Sequence, residues 1–167
     1  MIKNINFLFV TFFGIGTIRY APGTITSLIT TILLFSSFHI LSLSKTAILI
    51  ILITIFLYSF LAVANYIKES SNKDPKEVVI DEVIGQSIPI YLYEIAHGTN
   101  KDSKEAILFY IYIFILFRFF DIKKPFPVNF FDKNFKNSFG VIMDDICAGF
   151  YVVLTFICFM IIKSYVL

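Results

Sequence analysis

The chain has 167 residues, of which 57% are hydrophobic, 18% are aromatic and only 16% are charged, and its formal net charge at pH 7 is +2. Soluble domains are nearer half apolar and a quarter charged, so this composition excludes an ordinary soluble protein and indicates an integral membrane protein. The small net charge, without a basic cluster among stacking aromatic residues, argues against a nucleic-acid partner. The length fits one domain, residues 1–167.

Six apolar segments are separated by polar stretches along the chain. Backbone polar groups must be satisfied within lipid, and the sequence has no alternating strand pattern of the barrel type, so we predict helices throughout. The expected fold is an all-α, multi-helix integral membrane bundle whose polar motifs lie at helix ends on one membrane face. The first and fourth segments are short for a bilayer of about 30 Å, and tilted spans, re-entrant pieces or interfacial helices all fit them. The segments are residues 5–18, 25–43, 46–67, 83–97, 106–120 and 146–167.

The distribution of lysine and arginine predicts the orientation of this bundle. If all six segments cross the bilayer, the polar stretches 19–24, 68–82 and 118–145 lie on one face and carry nine basic residues, against five on the other face. Cytoplasmic loops of membrane proteins are enriched in lysine and arginine, so we expect the first face to be cytoplasmic.

Five carboxylates are expected at helix ends on that same face. Asp81 and Glu82 open the fourth segment, Asp121 closes the fifth, and Asp144 and Asp145 open the sixth. A helix N-terminus favours an anion by only about 0.3–1 kcal/mol, which does not account for so many acids together. Mg²⁺ prefers hard oxygen ligands, so we predict that these five residues are catalytic and bind Mg²⁺. The alternative is that the adjacent aspartates cap a helix and that the other acids pair with lysines.

Two cations accompany these acids. Arg118 precedes Asp121 by three residues and Lys124 follows it by three, so the three side chains can share one helix face before Pro125 and Pro127 end the helix. A guanidinium fork and an ammonium group beside metal-binding carboxylates suit a phosphate, which predicts that Arg118 and Lys124 bind it. Snorkelling of Arg118 and a plain Arg118–Asp121 ion pair are the alternative.

The stretch "APGT" at residues 21–24 is a turn that leads into the second segment. Pro22 presets its own φ angle, Gly23 permits a close approach, and Thr24 can cap a helix that starts near Ile25. Free backbone N–H groups at such a start can take an anion, which makes Thr24 a third candidate for binding the substrate phosphate. Many Pro-Gly turns have no ligand.

Nucleophilic side chains of the usual kinds are missing from this pattern. His39 and His97 fall toward the face away from the acids, where packing or interface roles suit them, and the sequence contains no Cys-x₅-Arg, GxSxG or Walker A motif. Metal-assisted attack by water remains, with an aspartate nucleophile as the alternative.

These motifs together resemble the bacterial phosphatidylglycerophosphatase A family of small membrane lipid phosphatases. The resemblance runs through almost the whole chain, in the order "GIGTIRYAPGTITSL" at 14–28, "DEVIGQ" at 81–86, "FRFFDIKKPFP" at 117–127 and "GVIMDDICAG" at 140–149. It implies an all-helical fold and Mg²⁺-dependent hydrolysis of phosphatidylglycerophosphate, a phospholipid in the bilayer, to phosphatidylglycerol and phosphate. The expected location is the bacterial inner (cytoplasmic) membrane, in a multi-pass protein with its active site on the cytoplasmic side.

Two other function classes are open to a chain of this composition. An ion-coupled membrane transporter would place its acids near the middle of the bilayer, whereas these acids are expected at span ends. A metal-dependent lipid phosphotransferase would use a helix-borne series of aspartates with a D-G…A-R start, which the sequence lacks. An assay of phosphate release against transport or alcohol exchange separates the three.

Overall fold

The computed structural model describes residues 2–69, 76–97 and 103–166, and within these ranges the chain is helical without a strand. This confirms the all-α prediction. A 3₁₀ turn, Ile15–Thr17, precedes the second α-helix, and a π-helical turn, Ser36–Ile40, extends it. The α-helices are α1 (Ile2–Val10), α2 (Pro22–Phe35), α3 (Lys45–Glu69), α4 (Ile80–His97), α5 (Ser103–Lys123), α6 (Val128–Asn134) and α7 (Ser138–Val166).

Three of these helical stretches are long and apolar enough to cross a membrane: Pro22–Ile40, Lys45–Glu69 and Ser138–Ile162. They coincide with the second, third and sixth apolar segments of the sequence. The first segment differs, because its α-helix α1 has only nine residues and would extend about 13.5 Å along its axis, less than half the thickness of a bilayer core.

Helix α4 lies at the centre of the bundle and contacts α2, α3, α5 and α7. Two glycines let α4 and α7 cross at close range. A Cβ atom on Gly85 would lie 2.6 Å from the backbone oxygen of Asp145, and one on Gly149 would lie 2.5 Å from the backbone oxygen of Gly85. The close crossing holds the start of α4 against the part of α7 that carries the paired aspartates.

The paired aspartates lie deeper in their helix than the sequence suggested. We predicted that Asp144 and Asp145 open the last helix, but α7 begins at Ser138 and has no acidic residue in its first turn. The side chain of Asn137 accepts a hydrogen bond of 3.1 Å from the backbone N–H of Gly140 and so starts the helix earlier. The dipole at the N-terminus of α7 acts mainly on the first turn, so it does not stabilise these two carboxylates as we expected.

The start of α2 also differs from the expectation. The helix begins at Pro22, after Ala21 in a left-handed conformation with φ of 47°, so Thr24 lies inside the first turn and is not the cap. A proline is well suited to the first helical position because its missing N–H would have no partner there. The predicted end of α5 is confirmed, since the helix stops at Lys123.

A buried polar network ties α2, α4 and α5 together at the end of the bundle away from the acids. Glu94 is fully buried, and its Oε1 lies 3.0 Å from Nε2 of His39 and accepts a hydrogen bond of 2.9 Å from the Tyr110 hydroxyl. His39 thus packs inside the protein, on the side where the sequence placed it.

Candidate active site

All eight predicted site residues line one polar pocket of about 400 Å³ at an end of the bundle. The pocket lies where α2 and α4 begin, where α5 ends, and beside the second turn of α7. Three helix ends and one helix interior thus bring together residues from distant parts of the chain. The eight residues are Thr24, Asp81, Glu82, Arg118, Asp121, Lys124, Asp144 and Asp145.

Three of the five carboxylates form a compact cluster. One oxygen from each of Asp81, Glu82 and Asp145 lies within 4.8 Å of the others. Within the described ranges, Asp81 Oδ1, Glu82 Oε2 and Asp145 Oδ2 are buried and have no hydrogen-bond partner. Buried carboxylate oxygens are costly to leave unpaired, so a bound cation would stabilise this cluster.

The electrostatics of the cluster point the same way. Burial raises the pKa of Asp81 well above its usual range, and the neighbouring Glu82 carboxylate raises it further. Burial also raises the pKa of Glu82, with Asp121 adding to the rise and Arg118 opposing it. Like charges in a poorly solvated site favour protonation, and a divalent cation would favour the ionised forms.

The donor set fits Mg²⁺ or Mn²⁺. All three clustered groups offer carboxylate oxygens, the ligand type that hard divalent cations prefer, and the pocket beside them has room for water and a phosphate. That all five acids bind the metal stays a prediction; of the five, the geometry groups Asp81, Glu82 and Asp145.

Asp121 faces a cation. Its Oδ2 lies 2.8 Å from Nη1 of Arg118, in an ion pair three residues apart on α5. The same Nη1 donates a longer hydrogen bond of 3.4 Å to the Ser27 hydroxyl on α2. The Nε of Arg118 is buried and has no partner among the described residues, so the guanidinium retains a donor for an anion.

Asp144 also faces a cation, Lys124, which the spacing on α5 had placed beside Asp121 instead. Nζ of Lys124 lies 2.9 Å from Asp144 Oδ2 and 2.7 Å from Asp132 Oδ1. We expected Lys124 to share a helix face with Asp121, but α5 ends one residue earlier, and Lys124 has a φ of 44°, which turns the chain away from the helix. Burial lowers the pKa of Lys124, but the two carboxylates outweigh burial, and the net effect raises it.

Gly23 explains how α2 closes one side of the pocket. A Cβ atom on Gly23 would lie 2.0 Å from Glu82 Oε1 and 3.4 Å from Nη1 of Arg118. With a glycine at this position, the first turn of α2 approaches these two side chains without displacing the Glu82 carboxylate. The prediction that this turn permits a close approach is therefore confirmed, although Thr24 is not the cap.

Sequence reasoning missed four polar or aromatic residues that complete the wall of the pocket: Lys76, Asp132, Phe135 and Lys136. The last three lie on or next to the short helix α6, inside a polar stretch that the sequence indicated only as a loop. The stretch "VNFFDKN" at 128–134, which follows Pro127, offered a signal, because a single aspartate lies among phenylalanines there. In the structure, Phe131 and Phe135 pack against Phe139 of α7. With them, six carboxyl and four cationic side chains of the described residues line the pocket.

Comparison with known proteins gives a consistent result. The family model described as "Phosphatidylglycerophosphatase A" matches residues 8–160. A Haemophilus influenzae protein named "Phosphatidylglycerophosphatase A" is 35% identical over 143 residues, which cover 85% of this chain and 80% of that protein. An Escherichia coli protein of the same name is 34% identical over 82 residues, covering 49% of this chain and 42% of that protein.

A relative that carries a different name is equally similar. A Bacteroides thetaiotaomicron protein named "Putative phosphatidylinositol-3-phosphatase" is 35% identical over 143 residues, covering 83% of each chain. No solved structure matches the chain. The family match covers most of the sequence and all four of the motifs that carried the resemblance. The chain therefore belongs to the phosphatidylglycerophosphatase A family and is a lipid phosphatase.

Proposed function

We propose that this protein hydrolyses phosphatidylglycerophosphate to phosphatidylglycerol and phosphate, with the help of Mg²⁺. One observation carries the proposal: three carboxylate oxygens that have no hydrogen-bond partner among the described residues lie in the same pocket as Arg118 and Lys124. A phosphate monoester and its divalent cation together match this arrangement of negative and positive groups.

The cation is assigned to Asp81, Glu82 and Asp145, whose oxygens converge. When bound, Mg²⁺ supplies Lewis-acid stabilisation of the negative charge on the phosphate. Asp121 and Asp144 hold the two cationic side chains, with ion pairs of 2.8 Å to Arg118 and 2.9 Å to Lys124.

The cationic side chains bind and orient the phosphate. Arg118 offers its remaining guanidinium donor and Lys124 an ammonium group, so that negative charge on the phosphoryl oxygens is neutralised during the reaction. Water attacks phosphorus and a pocket carboxylate takes up one of its protons. The bond from phosphorus to the glycerol oxygen breaks, and that oxygen gains the proton back from the carboxylate, so the products are phosphatidylglycerol and phosphate. The alternative, an aspartate nucleophile, would leave an acyl-phosphate on the protein.

A second substrate is favoured by the relative named as a phosphatidylinositol-3-phosphatase. Phosphatidylinositol 3-phosphate is also a phosphate monoester on a lipid headgroup, so the pocket chemistry is the same. Discrimination between the two headgroups rests on the polyol next to the phosphate.

The first prediction tests both the reaction and the cation. The purified protein in detergent should release phosphate from phosphatidylglycerophosphate with Mg²⁺ or Mn²⁺, and excess EDTA should abolish release, because the carboxylate cluster then lacks its positive charge. Phosphatidylinositol 3-phosphate and glycerol 3-phosphate are the comparison substrates.

Undiminished turnover in EDTA would refute the metal mechanism. Faster release from phosphatidylinositol 3-phosphate than from phosphatidylglycerophosphate would change the substrate assignment but not the chemistry. Transfer of the phosphate to an added alcohol would indicate a phosphotransferase.

The location is proposed as the bacterial inner membrane, with the pocket on the cytoplasmic side. The excess of basic residues on the polar stretches near the pocket supports this orientation.

In a variant whose Cys147 and Cys158 are replaced by serine, Asn134→Cys, at an exposed position at the end of α6, should resist an impermeant thiol reagent added to intact cells. Ser44→Cys, which is exposed at the other end of the bundle, is the matched control and should react. If the cysteine at position 134 were labelled from outside the cell, the proposed orientation would be wrong and the pocket would face the outside.

A further inference from the structure

A row of buried polar side chains continues from the carboxylate cluster into the bundle, between α2 and α4. Thr26 and Gln86 are fully buried and Thr30 is 3% exposed. Among the residues that the structure describes, both threonine hydroxyls and both amide atoms of Gln86 are without a hydrogen-bond partner. Four unpaired polar atoms in one buried region are exceptional, because buried polar groups are nearly always paired.

Two contacts show that α2 and α4 run side by side in the same direction. At the pocket end, a Cβ atom on Gly23 would touch Glu82 Oε1. At the far end, His39 contacts Glu94. Both helices therefore begin at the pocket and run parallel to each other away from it.

Helical periodicity places the three polar residues on the facing sides of these helices. Thr26 and Thr30 follow Gly23 by three and seven residues, and Gln86 follows Glu82 by four. Residues at such spacings share a helix face. The three side chains thus lie on the same helix faces as the Gly23–Glu82 contact, about one to two turns below it.

We infer that Thr26, Thr30 and Gln86 form a water-binding site that positions the Glu82 carboxylate. The hydroxyls and the amide bind ordered water, and this water donates a hydrogen bond to Glu82. A carboxylate has about four lone-pair sites, so Glu82 can accept this bond and bind a cation as well. Buried waters commonly make about three hydrogen bonds to groups that lack protein partners.

The inference rests on the proposed function, because its consequence concerns the cation assigned to Glu82. Groups that hydrogen-bond to a metal ligand fix its orientation, and their loss typically lowers metal affinity by about 10–100-fold. Gln86 is thus a positioning residue, which acts through Glu82 and touches neither the cation nor the phosphate.

The test compares metal affinity with thermal stability in Gln86→Leu. Leucine is similar in size and leaves no buried amide unpaired, so the melting temperature without metal should stay the same or rise. The Kd for Mn²⁺, measured by electron paramagnetic resonance on the detergent-solubilised protein, should rise about tenfold or more. Thr30→Val, which removes one hydroxyl at nearly constant volume, should raise the Kd by a smaller factor.

Ser87→Ala is the matched control. Ser87 is also buried and adjoins Gln86, but its hydroxyl is satisfied by the backbone oxygen of Val83 at 2.5 Å, and it lines an apolar groove between α3, α4 and α7. Its Mn²⁺ affinity should match that of the parent.

The outcomes separate this inference from the proposed function. Parental Mn²⁺ affinity in Gln86→Leu and Thr30→Val would overturn the inference and leave the metal mechanism intact. A fall in melting temperature with unchanged Mn²⁺ affinity would likewise overturn it, because Gln86 would then be structural. Failure of the parent itself to bind Mn²⁺ would overturn the metal assignment and, with it, this inference.

Discussion

Asp145→Asn is expected to lower kcat/KM for phosphate release by about 100-fold or more, equivalent to about 2.7 kcal/mol of transition-state stabilisation. Asp145 is 3% exposed, belongs to the three-carboxylate cluster, and has an oxygen without a partner in the described part of the chain. Asparagine keeps the shape but removes the charge. The Mn²⁺ Kd should rise in parallel with the loss of activity.

The stability of this variant should distinguish a metal ligand from a structural aspartate. Without a cation, Asp81, Glu82 and Asp145 repel one another inside a buried cluster. Removal of one charge relieves that repulsion, so the melting temperature in EDTA should stay the same or rise. A structural aspartate would instead lose stability when its charge is removed.

Asp144→Asn is the matched control, because it alters the adjacent residue in the same way. Asp144 pairs with Lys124, which keeps Asp132 as a second partner. Its replacement should therefore leave Mn²⁺ affinity near the parental value and act mainly on the KM for the lipid. Near-parental activity and Mn²⁺ affinity in Asp145→Asn would refute the assignment of the metal to this cluster.

The convergence of the acids could be predicted from the sequence because each motif adjoins an apolar segment. Asp81 and Glu82 do occupy the first turn of α4, and Asp121 does lie in the last turn of α5. Helix ends at one membrane face must lie close together in a small bundle, so the hydropathy pattern was enough to predict that these groups share one pocket.

Which acids pair with cationic side chains and which form the carboxylate cluster could not be predicted in the same way. The pairing of Lys124 with Asp132 and Asp144 depends on how α6 packs on α7, because the two partners follow Lys124 by 8 and 20 residues in the chain. Hydropathy likewise gave no boundary for α7, because the apolar run begins after the aspartates whereas the cap at Asn137 lies before them. Local capping thus determined a helix start that the apolar pattern concealed.

Arg118→Lys is expected to lower kcat/KM by about 10–100-fold while Mn²⁺ affinity stays parental. Nη1 of Arg118 is already engaged by Asp121 at 2.8 Å, and Nε remains as a donor without a partner in the described ranges. A lysine has one nitrogen, which Asp121 would hold on its side of the pocket. The second, angled donor that a guanidinium offers to a phosphate is then lost.

Ser27→Ala is the control for this prediction, because it keeps the guanidinium and removes the 3.4 Å hydrogen bond from Arg118, together with the 2.9 Å hydrogen bond that the Ser27 hydroxyl donates to the backbone oxygen of Gly23. Its activity should stay within about threefold of the parent, since a bond of that length is weak. Inhibition by inorganic phosphate should weaken in Arg118→Lys but not in Asp145→Asn measured at saturating metal. Equal phosphate inhibition in the parent and in Arg118→Lys would mean that the guanidinium only anchors Asp121, and the phosphate would then have to be bound by Lys124 and the cation alone.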